Sequence, residues 1–348
     1  MTPRLRRWSS AVLVATAVGY PLALALVVLG FRLIGERWWI TGLGLYLPRL
    51  GFALPLPFIV AACALARRHR LLLLQLASSL LLVFPLLGFN IAWGAAQGAA
   101  KPLRVLSYNV NSGYGGFPGI AAEILQFDPD VVLVQELFAG SEPLELALRA
   151  RYPFQHVSGQ FMVASRFPIL ASVDPPRLPF FGRERSPRYM RYVIETPLGK
   201  VTFFNIHTVS PRGGIYAIRG GGLRKEILSG RLMAGTEADT LQSTAGLREL
   251  QVDALTNEAT REPGAIIIAG DTNLPGLSRV FAKTLGRYRD AFSETRSGFG
   301  YTYPVKFPWM RIDRILSNDR LTFNGFEIGK SKASDHYCVV AEFSVASR

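Results

Sequence analysis

Asp271 and Asn273 stand two positions apart at the end of an apolar run, Ile266–Pro275, which reads Ile-Ile-Ile-Ala-Gly-Asp-Thr-Asn-Leu-Pro. Side chains alternate along extended backbone, so this carboxylate and this amide point the same way. A carboxylate orients or deprotonates water, and an amide donates to a developing phosphoryl oxyanion. Further polar residues occupy comparable places: Asn109 at the end of Leu103–Val110, Glu136 closing Asp130–Glu136, His207 just past Lys200–Ile206, and Asp335 with His336 before Cys338–Phe343. Asp313 falls inside Arg311–Leu316, an apolar strand where an unpaired acid is costly, so it requires a partner. Each has an ordinary reading when taken singly. The Gly-Asp step suits a loop, Glu136 a solvated strand end, and His207 a satisfied core histidine.

Strands must deliver these residues together. The run before Asp271 is continuous and β-branched, as in a strand covered on both faces, and Gly270 and Pro275 mark where it turns. A short helix over Ile120–Gln126 separates the strands that carry Asn109 and Glu136, and α/β layering collects such strand ends at one edge. Phe161–Ser165 reads as another strand, Tyr189–Glu195 and Lys200–Ile206 as a hairpin around Thr196–Gly199, and Leu247–Thr260 as a helix. Ser210–Ala245 is rich in glycine and arginine with apolar residues interleaved. It is either disordered or a flap at 210–245 that meets a membrane surface.

In this order, Ser-Tyr-Asn, Gln-Glu, Asn-x-His, Gly-Asp-x-Asn, Ile-Asp-x-Ile-Leu and Ser-Asp-His resemble the endonuclease/exonuclease/phosphatase superfamily. That is the fold of deoxyribonuclease I, apurinic endonucleases, inositol polyphosphate 5-phosphatases and neutral sphingomyelinases. The resemblance covers about Leu103–Phe343 and implies a four-layer α/β sandwich, two mixed sheets face to face with helices outside. It implies Glu136 as the main Mg²⁺ ligand, with Asn109 and Asp335 near the metal; Mn²⁺ or Ca²⁺ are possible substitutes. Oxygen ligands with retained waters suit Mg²⁺. It further implies that Asp313 orients His336, as a general base or a phosphate contact. His207 and Asn273 would grip the non-bridging oxygens, and Asp271 would align the attacking water, the base role staying unassigned. The implied reaction is phosphoester hydrolysis by in-line water attack.

The first hundred residues have a different composition. They hold nine Arg and one acid, Glu36, a balance of +8 within the chain's 39 − 25 = 14 surplus. Three apolar runs, about 9–31, 50–66 and 71–96, are expected as transmembrane helices forming an anchor over 1–100, ahead of a catalytic domain over 101–348. Arg4, Arg6, Arg7, Arg67, Arg68 and Arg70 against Arg32, Arg37 and Arg49 place the N-terminus in the cytoplasm. Three crossings then put the catalytic domain on the periplasmic side of a bacterial-type inner membrane; a re-entrant second run would reverse this. The chain resembles most closely the membrane-anchored bacterial members of the superfamily, some of which are associated with glycopeptide-antibiotic resistance. The spans either tether the domain or also admit lipid.

A basic surplus spread along the chain suits an anionic membrane surface or substrate better than nucleic acid, which calls for a dense Lys and Arg stripe. A catalytic strand beginning a few residues after a membrane helix points to a lipid headgroup, of phospholipid or polyprenyl-phosphate type. A tethered nuclease is the alternative and a non-catalytic scaffold the third. Cys63 and Cys338 lie in unrelated apolar runs, so no disulfide is expected.

Overall fold

The computed structural model describes residues 2–93, 103–138, 140–211 and 236–346. Two compact units result: Met1–Phe89 with Leu277–Arg279, and Asn90–Gly276 with Val280–Arg348.

In the N-terminal unit, α1 (Pro3–Leu29) continues through tighter and looser turns to Arg37. It is followed by α2 (Trp39–Tyr46), α3 (Pro55–Leu65) and α4 (His69–Leu81), the last extended to Leu86. Ala17, Ile59 and Cys63 form the centre of the packing. Polar side chains reinforce it: the Gln75 amide donates to Ala17 O at 2.8 Å and Tyr20 Oη to Phe52 O at 2.6 Å. Pro3–Arg37 and His69–Leu86 are each long and apolar enough to cross a membrane. The second expected span is a bent pair instead, Trp39–Tyr46 and Arg49–Leu65, meeting at 93°. The eleven residues of α3 rise only about 16 Å, half the hydrocarbon thickness. The third is helical only through Leu86, short of the expected 96; beyond it, Asn90 pairs with Gly298.

The larger unit is an α/β sandwich of two six-stranded mixed sheets. The first runs β13 (Leu321–Ile328), β14 (Val339–Val345), β1 (Leu103–Asn109), β2 (Val131–Gln135), β4 (Phe161–Ser165), β3 (Phe154–Ser158). The second runs β11 (Arg289–Asp290), β12 (Asp313–Ser317), β10 (Ala265–Asp271), β9 (Gly199–His207), β8 (Tyr189–Thr196), β5 (Ile169–Val173). A small hairpin, β6 (Leu178–Phe180) and β7 (Arg183–Arg185), lies apart from both sheets. Within the two sheets, β1 with β2 and β9 with β10 pair in parallel, and the other neighbours are antiparallel.

One core fills the space between the sheets, with Val105, Leu133 and Phe343 from one meeting Phe203, Ile267 and Ile315 from the other. Each such side chain is worth roughly 1.5–3 kcal/mol buried. On the outer face of the first sheet pack α5 (Phe117–Phe127) and α6 (Glu142–Arg149). Val252, Leu255 and Ala259 of α7 (Thr236–Ala259) cover the second. This arrangement is the four-layer sandwich expected from the sequence. The expected flap at 210–245 lies outside the described residues over 212–235, and from Thr236 the chain is already helical.

The sheets stack strand on strand, β14 over β12, β1 over β10 and β2 over β9. Because β1–β2 and β9–β10 are parallel pairs, their C-terminal ends emerge together at one edge.

Candidate functional site

Each stacked strand pair contributes one cross-sheet polar pair at that edge. From β1 and β10, Asn109 Nδ2 donates to Asp271 Oδ2 at 3.1 Å. From β9, and just past β2, His207 Nε2 lies 3.2 Å from Glu136 Oε1, without hydrogen-bond alignment. From β12 and the approach to β14, Asp313 Oδ1 and Oδ2 lie 3.1 and 3.0 Å from His336 Nδ1. Register keeps the second sheet's members level, since Asp271 pairs with His207 on one side and with Asp313 on the other.

Local backbone sets the remaining directions. Glu136 follows the last residue of β2 with a φ of +55°, and Asn273 has +49°. These left-handed residues turn each side chain out of the strand's alternation. Gly270 has a φ of +147°, and a Cβ there would lie 1.9 Å from Ile206 O, so only glycine lets β10 approach β9 just before Asp271.

Asp271 is buried and held from several directions. Its Oδ1 accepts from Asn273 N at 2.8 Å, and its Oδ2 from Asn273 Nδ2 at 3.2 Å as well as from Asn109. Burial pushes its pKa up, with the charge of Asp313 adding to that and the histidines opposing it. Glu136 goes the other way: burial pushes it up, but the His207 ring, the Asn109 amide and His336 together outweigh that and hold it down at about 2. At His336 burial disfavours the charged ring, and Asp313 and then Asp271 overcome it, raising the imidazole to about 9. The ring is therefore an imidazolium at neutral pH. Tyr303 packs against it with ring centroids 4.5 Å apart, and Asp271 Oδ2 lies 3.8 Å from Nε2.

All eight residues singled out in the sequence come to this edge. Asn109, Glu136, His207, Asp271, Asn273, Asp313 and His336 are linked by the contacts above. Asp335 is at the solvent side, about a third exposed, with Oδ1 4.0 Å from His336 Nε2. The buried partner demanded for Asp313 is His336.

Donors suited to a cation cluster here in two groups, Glu136 with His207 and Asp271, and Asp271 with Asp313 and His336, each with ligand atoms within 4.8 Å of one another. An ionised Glu136 and a nearby Asp271 carboxylate fit a hard divalent ion. Asn109 currently turns its nitrogen to the acids while Oδ1 accepts from Asn111 N at 3.1 Å, so its amide must rotate to ligate.

Two neighbours were not singled out in the sequence. Gln160 Oε1 accepts from His207 Nδ1 at 2.6 Å, which leaves Nε2 facing Glu136. Arg188, with φ +59°, accepts the His207 amide on its carbonyl at 2.9 Å. Its guanidinium, whose pKa burial pushes below the usual arginine value, is within the electrostatic reach of Glu136, which opposes that shift. The β8–β9 hairpin carried the signal: extending its register one residue past Tyr189–Ile206 sets Arg188 opposite His207.

Beneath the site a polar tie joins the sheets. Gln135 Nε2 donates to Asn205 Oδ1 at 2.7 Å, while Asn205 Nδ2 donates to Val134 O at 3.0 Å and Met162 O at 3.2 Å.

A model of the Endonuclease/Exonuclease/phosphatase family matches residues 106–336. No curated protein matches the chain. Among solved structures, an endonuclease/exonuclease/phosphatase from Beutenbergia cavernae is 16% identical with a TM-score of 0.51, covering 71% of this chain and 72% of its own. A humanized D. rerio TDP2 is 18% identical with a TM-score of 0.50, covering 70% and 99%. Both similarities concern the fold.

Proposed function

Since the chain belongs to the endonuclease/exonuclease/phosphatase family, whose members are metal-dependent phosphoesterases, we propose that it is a membrane-anchored, Mg²⁺-dependent hydrolase of a phosphate ester in a lipid headgroup. The observation that carries the chemistry is the set of three cross-sheet pairs at one edge.

Glu136, with Asn109 and Asp335, would hold Mg²⁺, which when bound neutralises charge on the phosphate and leaving-group oxygens. Asp271, fixed by the Asn109 and Asn273 amides, orients the attacking water. His336, charged by Asp313, is a cationic contact for the phosphoryl oxygens and is not free to take a proton at neutral pH. His207, aimed by Gln160, and Asn273 contact the non-bridging oxygens, and Arg188 adds a second cation beside them.

Lipid is favoured over nucleic acid by the surroundings of the site. Two or three N-terminal helices are apolar enough to cross a bilayer. Tyr114, Phe138 and Phe307, on loops that follow Asn109 and Glu136 or precede Asp313, are exposed, as suits an apolar interface. The arginine distribution favours a cytoplasmic N-terminus and, if the bent pair crosses, a periplasmic catalytic domain.

Purified full-length protein should release headgroup or phosphate from detergent-solubilised lipids in a Mg²⁺-dependent manner, and Asp271→Asn should abolish the release. Inactivity on every lipid together with robust, salt-sensitive plasmid cleavage would establish the tethered nuclease instead. A reporter fused after Arg348 should be active only outside the cytoplasm; cytoplasmic activity would overturn the three-crossing topology.

A further inference from the structure

A groove of about 680 Å³ runs between α1 and α3 in the N-terminal unit. One wall is a stripe of α1, Leu5, Trp8, Val12 and Thr16, spaced by three and four residues; the other includes Phe58 and Ala62 of α3. Leu5 to Thr16 spans about 16 Å, the depth of one leaflet of hydrocarbon. Trp8 and Phe58 are largely exposed at its rim.

The end of the groove at Leu5 and Trp8 is ringed by cations. Arg4, Arg6 and Arg7 are on the first turns of α1 and exposed. Arg68 Nη2 donates to Ser10 Oγ at 2.7 Å, which brings the exposed corner Arg67, Arg68 and Arg70 to the same turns. The sole carboxylate of the first hundred residues is Glu36, at the far end of the first helical stretch and about 40 Å of helix from Arg7. Six guanidinium groups therefore border an apolar channel with no protein anion of this segment beside them.

We propose that this groove is a binding site for one phospholipid with a net-negative headgroup, its acyl chain lying along the α1 stripe and its phosphate among the arginines. The site is distinct from the hydrolytic centre and does not depend on the reaction catalysed there. The arginines supply headgroup selectivity, a factor of about five for each one near the charge, and the groove supplies affinity for the chain. The lipid also fills a gap that the α1–α3 packing leaves open, so its loss loosens that pair.

Native mass spectrometry of the full-length protein in mild detergent, titrated with phosphatidylglycerol or with phosphatidylcholine of the same chains, tests this. One bound phosphatidylglycerol is expected, with at least about tenfold preference over phosphatidylcholine. In Arg67→Gln/Arg68→Gln/Arg70→Gln, all exposed positions, the preference should fall about tenfold or more while phosphatidylcholine binding stays unchanged. In Ala62→Trp, binding of both lipids should fall. Equal affinity for the two lipids in the wild type, or phosphatidylglycerol binding untouched by both variants, would overturn the proposal. So would a protein dimer, rather than a lipid adduct, that disappears in Ala62→Trp, since it would make a second copy the occupant.

Discussion

Replacing Asp313 with Asn tests whether this carboxylate works by keeping His336 charged. Asp313 is the largest influence raising His336, whose imidazole it lifts against burial to about 9. Without it, burial remains and Asp271 is the main counterweight, so the ring should titrate near its ordinary value of about 6.5. The change is about 2.5 pH units, or on the order of 3 kcal/mol favouring the neutral ring. Asn preserves shape and one hydrogen bond, so the fold should hold. At pH 7.5 a ring titrating at about 6.5 is charged in roughly one molecule in ten, and at pH 6 in about three of four. The ratio of variant to wild-type kcat/KM should therefore be down about tenfold at pH 7.5 and recover most of the way by pH 6. Comparing both proteins at each pH removes effects common to them, including titration of Asp271. The His336 ring protons, followed by NMR across the same range, supply a readout independent of turnover. The same linkage acts on folding. A histidine raised in the native state contributes stability fully present below about 6.5 and lost as pH rises through about 9. Wild-type stability should decline across that window, and the variant should lack the decline. A rate ratio that stays flat from pH 6 to 8.5 in a folded variant would refute the reasoning and leave Asp313 with a purely steric role.

Other positions separate chemistry from scaffolding. Glu136→Gln should leave the melting temperature nearly unchanged, weaken Mg²⁺ binding by calorimetry and lower kcat by on the order of 10²–10⁴. Arg188→Ala should lower kcat/KM about tenfold chiefly through KM, with Arg188→Lys recovering part of it; an unchanged KM would exclude substrate contact. Asp290→Asn should cost roughly 3–5 kcal/mol, because Arg314, whose side chain is 1% exposed, and Arg311 both rely on its carboxylate at 2.8 and 2.7 Å. Burial opposes the charge of Asp290, but these two arginines hold it below the usual carboxylate range, so its contribution is present above about pH 3.9 and lost as acid titrates it. Urea melts across pH 2–7 would show it, and the variant's curve should be flatter.

The sandwich was legible because its strands are short apolar runs that each end in a polar residue, and Asp313 announced a partner by being an acid inside such a run. The strands that carry the site followed from this, with boundaries off by one or two: Glu136 reads as the last residue of β2 but is past it with left-handed backbone. The outer strands β3, β5, β11 and β13 were not read. Which strand lies over which was not legible, since pairings such as Asn109 with Asp271 join residues 162 apart. Arg188 escaped because it follows a stretch of exposed charged residues, Arg183–Arg185, with no apolar period to mark it. The charge of His336 depends on two acids brought to it by folding. In the N-terminal unit, the prolines at 55 and 57 were visible, yet the 93° bend arises between two short helices and depends on how they pack.

The polar tie between Gln135 and Asn205 has a further consequence. The two halves of the candidate site belong to different sheets, so the gap between Glu136 and His207, or between Asp313 and His336, is a measure of sheet separation. The shared core below works as a spacer. A substitution that thickens or thins it, at Leu133 or Ile267 for example, would change those gaps while touching no catalytic group. Some activity-altering substitutions should therefore map to the middle of the protein, and the amide bridge at Gln135 and Asn205, one layer below the acids, is the caliper that resists them.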